Sequence, residues 1–356
     1  MLFFYKYLPH SINKLQEYID HLFLEVWCRA QGEYELEKLH PDLQAIITEI
    51  YYDANVPYGA YLYEPIEQVY NVFLTLDEAT RTRLACAYRD NNRLEDLCIA
   101  QNGCEPFRYT DLKLIHPELS EVLQYFFKKL FTDAIKLKAV TDRIGKIEEH
   151  YKAFMALNDE GKCPFCGLND IKGQYARTRD AYDHFLPKDL YPFNSINFKN
   201  LAPMCHECNS SNKGAKDPLH HKDEGTRRRA FYPYSDHAVS INPVLSLAHK
   251  NFNKLKPEDI EMEWEDLGDT EELYTWLDVF GIEHRYKEKC LEKHYGQAWV
   301  RDMIDQRLTQ EQLLGIKIDP GKWLNMQITA AEKDPYRDAN FLKAAYLKAC
   351  DKAGAF

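Results

Sequence analysis

Three short runs carry the chemistry of this chain: CPFCG at 163–167, YDHFLPK at 182–188 and NFKNLAPMCHECNSSNK at 197–213. Two Cys-x-x-Cys pairs, Cys163 with Cys166 and Cys205 with Cys208, enclose Asp183 and His184. In a tight Cys-Pro-x-Cys-Gly turn both thiolates face one ion, and Gly167 relieves the backbone where the chain reverses. The second pair completes four thiolates, the donor set of a closed tetrahedral zinc site. Redox chemistry needs only one such pair, so two pairs point to structural zinc. His206, between the last two cysteines, reads as a surface residue. The stretch between the pairs exceeds what a zinc ribbon needs, so it is expected to hold a folded functional unit.

Asp183-His184, Asn200, Asn209 and Lys213, set between and just after the knuckles, resemble the HNH endonucleases. The resemblance implies a ββα unit around one divalent ion. On it, a strand from Asp180 to Phe185 ends near the base, and a loop from Leu186 to Phe198 follows. A second strand then runs from Lys199 to Met204, and a helix from His206 to about Gly214. It makes His184 the general base, whose imidazole titrates near neutral pH when unperturbed. Asp183 and the Asn209 amide oxygen become ligands of a catalytic Mg²⁺ or Mn²⁺, the hard ions that suit oxygen donors. Asn200 is implied to pin the loop and orient the His, and Lys213 to contact phosphate, with Lys188 and Lys216 as weaker candidates. Where much of the family has a final His, this chain has Asn209, which favours a hard ion over a nitrogen-liganded one. The spellings DHFLPK, NLAPMC and CNSSNKG are similar to bacterial antiphage HNH nucleases of the Septu type, which act beside an ATPase. That comparison implies a DNA substrate and a regulatory protein partner such as a defence ATPase. The competing reading is a zinc-built module that binds nucleic acid or protein without catalysis.

Composition frames this reading. The chain has 356 residues, 45% apolar and 28% charged, ordinary proportions for a soluble globular protein of about two domains. No run approaches the length of a membrane span. The apolar start, MLFFYKYL, is too short for a signal peptide and reads as a strand or helix lead-in. A cytoplasmic location is therefore expected. Cys28, Cys86, Cys98, Cys104, Cys290 and Cys350 read as buried free thiols. The net charge of −11 is unevenly spread: residues 163–229 carry 11 Lys/Arg and 8 Asp/Glu, a balance of +3, which leaves −14 elsewhere. Such an acidic surround discourages indiscriminate binding to DNA.

The expected fold class is α+β, a mainly helical body with an embedded zinc-stabilised ββα-metal module. The expected division is a helical domain at 1–150, the nuclease module at 151–235 and a mixed, mostly helical region at 236–356. Helical spacing predicts helices opened by Ser11, Pro41, Pro65 and Asp77, another from about Pro117, and one from about Asp133 to Leu157. Irregular connections are expected near 55–63 and 100–115. The alternation IEMEW at 260–264 predicts an edge strand, and helices are expected near 270–280, 284–308 and 338–352. Tyr51, Tyr52, Tyr58, Tyr61, Tyr63 and Tyr70 form a cluster read as core and interface filler. His220, His221 and His237 read as loop or core residues. Arg227, Arg228 and Arg229 leave two readings open, a clamp on a duplex backbone or a charged helix surface.

Overall fold

The computed structural model describes residues 2–56, 62–222, 225–236, 241–265 and 270–356. Helix dominates, with two small antiparallel sheets, so the class is α+β. Helix starts follow local chemistry where a capping residue stands in the right place. Asp77 accepts from Thr80 N at 2.7 Å and opens Glu78–Asn91. Pro41 and Pro117 occupy first-turn positions, where a missing N–H costs nothing, and His40 and His116 cap the helices Pro41–Tyr52 and Pro117–Thr132.

Several boundaries differ from expectation. Ser11 does not cap the first helix: its Oγ donates to Ile144 O at 2.8 Å, and His10 accepts from Ile12 N instead. The third helix, Tyr63–Thr75, starts two residues before Pro65. The long helix expected over 133–157 is broken into Lys138–Ile144 and Ile147–Leu157, because Gly145 takes a φ of +82°. Two short helices, Leu94–Ile99 and Tyr109–Ile115, bracket and enter the stretch expected to be irregular. At the C-terminal end, 284–308 is split between Ile282–Leu291 and Gly296–Leu314, and Pro320–Lys333, capped by Asp319, is additional.

The apolar start forms neither strand nor helix. It is an extended strap whose Leu2 N donates to Pro164 O at 3.0 Å in the first knuckle and whose Tyr5 hydroxyl donates to Pro203 O at 2.9 Å. This strap explains Gly167. A Cβ there would lie 2.1 Å from Leu2 Cδ1 and 2.9 Å from Phe341 Cε1, and the residue has a φ of +65°. Tyr70 is fully buried while Tyr51 and Tyr52 are exposed, so the tyrosine cluster is core only in part; Tyr58, Tyr61 and His237 lie outside the described residues. All ten cysteines are free, and of the scattered six only Cys86 is exposed and Cys28 half-buried. Among the described residues no helix is long and apolar enough to cross a membrane.

Strand β1 (Ala181–His184) pairs antiparallel with β2 (Leu201–Met204), placing Asp183 opposite Ala202 and His184 opposite Leu201. The helix Glu207–Lys213, wide and π-type, follows the second knuckle and completes a ββα unit. The loop joining the strands is nailed into the helical body by Phe193, whose ring meets Phe23 at 4.8 Å and Tyr88 at 5.4 Å. Phe193 holds a φ of +82°, a strained backbone for a bulky residue, which its complete burial offsets. Asn91 adds a bond to Pro192 O at 3.2 Å. The second sheet pairs β3 (Asn242–Leu247) with β4 (Ile260–Glu265), the strand expected at 260–264.

Candidate active site and zinc centre

Four sulfurs meet at the base of the ββα unit. Cys163, Cys166, Cys205 and Cys208 are all buried, and their Sγ atoms lie within 4.8 Å of one another. Cys166 and Cys205 are 4.0 Å apart, about twice a disulfide length and close to the ~3.8 Å edge of a tetrahedron with Zn–S bonds of about 2.3 Å. The donor set thus fits structural zinc. The surroundings carry matching charge. Arg285, buried on the helix Ile282–Leu291, donates to Cys208 Sγ at 3.2 Å and pairs with Glu207 at 3.2 Å. A guanidinium stays charged at any relevant pH, and this one is shared between the Glu207 carboxylate and the cysteine cluster, where four thiolates around Zn²⁺ would present a net negative centre to it. Asn169 and the backbone N–H of Cys208 each reach Cys205 Sγ at 3.5 Å. Trp276 donates to Phe165 O at 2.7 Å and Tyr286 to Cys166 O at 2.8 Å, so the C-terminal helices clasp the first knuckle. His206 is exposed, as its reading required.

The second site is a cavity of about 400 Å³ whose wall includes Asp183, His184, Lys188, Asn209 and Phe131. His184 ends β1 and is held from two sides: its Nε2 lies 2.8 Å from Ser195 O, and Phe131 packs edge-on at 4.5 Å. A carbonyl only accepts, so Nε2 carries the proton and the neutral ring keeps its lone pair at Nδ1. Burial pushes the imidazole down to about 3, helped by the Lys188 and Lys213 cations and opposed by the Ser195 bond. His184 is therefore unprotonated throughout the neutral range. Ser195 is itself fixed, its hydroxyl donating to Phe127 O at 2.8 Å on the helix Pro117–Thr132.

Asp183 is buried, and its Oδ2 has no hydrogen-bond partner, although Lys213 Nζ pairs with it at 2.9 Å. Burial raises its pKa, with Lys213 opposing the rise. The Asp183 carboxylate and half-buried Asn209 share this cavity, and two such oxygen donors are the kind a hard divalent cation takes, although Lys213 already holds one of the carboxylate oxygens. Asn200 does pin the loop: its Oδ1 accepts from Leu186 N at 2.8 Å and its Nδ2 donates to Leu186 O at 3.1 Å. The hydrogen bond that orients His184, however, comes from Ser195.

The lysines differ from expectation. Lys213 is buried, bonded to Asp183 and to His184 O at 2.9 Å, so its ammonium braces the end of β1 and is not presented to a phosphate. Lys216 donates to Asp278 O at 2.9 Å on the helix Glu271–Phe280 and does not line the cavity. Lys188 remains on the cavity wall, 3.6 Å from Asp189. The three arginines are engaged within the chain: Arg227 bonds Leu97 O and Leu219 O, Arg228 is buried against Asp278 at 2.8 Å, and Arg229 pairs with Glu271 and Glu272. His220 meets Asp217 at 3.0 Å.

Two curated proteins match parts of this chain. Protein ea31 of Escherichia phage lambda is 39% identical over 85 residues, 23% of this chain and 24% of that protein. The Septu protein PtuB of Bacillus thuringiensis is 40% identical over 57 residues, 16% of this chain and 20% of that protein. The chain thus spans a quarter or less of the length of each relative, which is distant, partial similarity. No family model matches the chain, and no solved structure matches it.

Ser195, Phe131, Arg285, Trp276 and Tyr286 are absent from the sequence reading. Apart from Arg285, each reaches the site from a loop or helix whose local sequence carries no signal of it. Arg285 alone offered a hint, as a cation on an otherwise buried helix face with Ile282 and Tyr286.

Proposed function

We propose that this chain is a metal-dependent HNH endonuclease that hydrolyses DNA phosphodiester bonds. The observation that carries this reading is the convergence of Asp183, His184 and Asn209 on one cavity, with the imidazole locked in the tautomer that leaves Nδ1 free. His184 Nδ1 accepts the proton of the attacking water, a role that needs an unprotonated ring in a fixed orientation. The Ser195 carbonyl keeps the ring from turning and stabilises the imidazolium formed. Asp183 and Asn209 would hold Mg²⁺ or Mn²⁺, which would supply charge stabilisation to the reacting phosphate. Asn200 keeps the loop closed, so the base stays in register with β2.

The similarity to a Septu protein and the Septu-type spelling of the motif support a role in antiphage defence beside a protein such as an ATPase. The helical body is proposed as the docking surface. The helix Pro117–Thr132 touches both Ser195 and His184, through Phe127 and Phe131, and so gives a partner a physical route to the general base. The Asp183–Lys213 pair favours one other reading, a module whose metal position is filled by its own ammonium and which binds without cleaving.

Supercoiled plasmid decides between them. Incubated with the zinc-loaded chain, it is expected to be nicked in magnesium or manganese and left intact without divalent ion. Nicking is expected to be slow for the isolated chain, because the −14 balance outside 163–229 repels DNA. Intact plasmid under every metal condition, with or without a co-purified partner, would support the silent module.

A further inference from the structure

The segment between the first knuckle and β1 carries groups that the cavity at His184 does not use. Lys172, Tyr175, Arg177 and Arg179 stand on one loop, and Lys152 reaches the same place from the helix Ile147–Leu157. Lys152, Arg177 and Arg179, with Tyr151, Thr178 and Ala181, line an open depression of about 450 Å³.

Charge there is not neutralised. The acidic groups facing the loop are Glu148 and Asp180. Glu148 is 3.7 Å from Arg179, and Asp180 accepts from the backbone N of Lys172 at 2.7 Å. Lys152 and Arg177 are exposed and stand in no ion pair among the described residues. On a chain of net charge −11, two free cations side by side run against the average.

The loop is also braced. Lys172 Nζ donates to Thr178 Oγ1 at 2.9 Å, and the Arg179 guanidinium lies 5.6 Å from the Tyr182 ring. On this fixed loop Tyr175 is 93% exposed, more than any other large apolar side chain among the described residues. An exposed aromatic ring two residues from an exposed arginine on one loop is an arrangement that can stack an unpaired base beside a phosphate contact. Bases within a duplex already stack on each other and offer no free face, so the ring selects against paired DNA.

The position connects the two sites. Ala181 walls the depression and opens β1, and the next three residues wall the catalytic cavity. At about 3.3 Å per residue, the strand carries a ligand roughly 10 Å from one to the other.

We propose that this loop is a platform for single-stranded DNA, with phosphates on Lys152 and Arg177 and one unpaired base on Tyr175. It feeds the strand along β1 to His184; that last role rests on the nuclease reading, whereas binding is measured without it.

The test is fluorescence anisotropy on the full-length, zinc-loaded chain, using a short labelled single strand and its matched duplex. The buffer contains no added divalent ion, and NaCl is varied from about 50 to 200 mM. The single strand is expected to bind at least about tenfold more tightly than the duplex. Tyr175→Ala is expected to weaken single-strand binding by about fivefold to a hundredfold and to leave duplex binding unchanged. The double variant Lys152→Glu, Arg177→Glu is expected to weaken both and to lower the single-strand salt slope by about 1.4, two contacts at ~0.7 each. All three side chains are exposed or line an open surface, and unchanged zinc content certifies the fold. Equal or tighter duplex binding, or affinities unmoved by these variants, overturns the platform. Plasmid nicking alongside such a failure preserves the nuclease reading, and intact binding without nicking preserves the platform alone.

Discussion

His184→Ala is expected to cut DNA cleavage by at least about a hundredfold, within the range attributed to a lost general base. The reason lies in how little else the cavity offers. Lys213 is paired with Asp183 and donates to the His184 carbonyl, which occupies both side chains. Among the described residues no second imidazole lines the cavity. Alanine removes the ring from between Phe131 and Ser195 without touching the β1–β2 hydrogen bonds or the four cysteines. Folding and zinc content should therefore survive. Rates are read from single-turnover nicking of supercoiled plasmid in magnesium. Wild-type rates in the variant would mean that the proton goes elsewhere.

Cys166→Ser and Cys208→Ser are expected to produce insoluble or protease-sensitive protein that has lost its zinc. The parent chain is expected to hold about one zinc by elemental analysis. Metal binding to thiolates that come together only in the folded state is folding free energy, of order 10 kcal/mol for small zinc modules. Here the four cysteines lie where the chain is drawn in from three directions: the N-terminal strap at Leu2, the ββα unit and the C-terminal helices at Trp276, Arg285 and Tyr286. Arg285→Met is the milder probe. It keeps the four ligands, removes the balancing charge, and is expected to speed zinc loss to a chelator by about tenfold to a hundredfold. A metal-free preparation with the same protease resistance as the parent would contradict the zinc assignment.

The ββα unit was legible because its residues are nearly contiguous. Cys163 to Lys213 encode knuckle, strand, loop, strand, knuckle and helix in order, and the structure departs from the expected strand ends by two residues or fewer. What holds that unit was not legible. Ser195 looks like any loop serine until the fold brings Phe127 within 2.8 Å of its hydroxyl. The HNH resemblance implied a phosphate contact for Lys213, whereas the structure buries its ammonium beside Asp183 as an internal counter-ion. The arginines at 227–229 looked like a basic surface and are tied to carbonyls and carboxylates contributed by distant helices. Helix breaks show the same limit. Gly145 interrupts a continuous apolar period at a positive φ, which hydrophobic spacing cannot register, whereas the Asp319-Pro320 start of Pro320–Lys333 was a readable signal.

Asp183 and Asn209 are proposed to form a hard-cation site separate from the four-cysteine centre. Its most direct test is Mn²⁺ binding followed by electron paramagnetic resonance on the zinc-loaded, full-length chain, where bound manganese is lost from the free-ion signal. The parent is expected to take up about one Mn²⁺ with its zinc retained, and Asp183→Ala to take up none at the same zinc content. Manganese uptake that is absent in the parent, or undiminished in Asp183→Ala, would contradict the account.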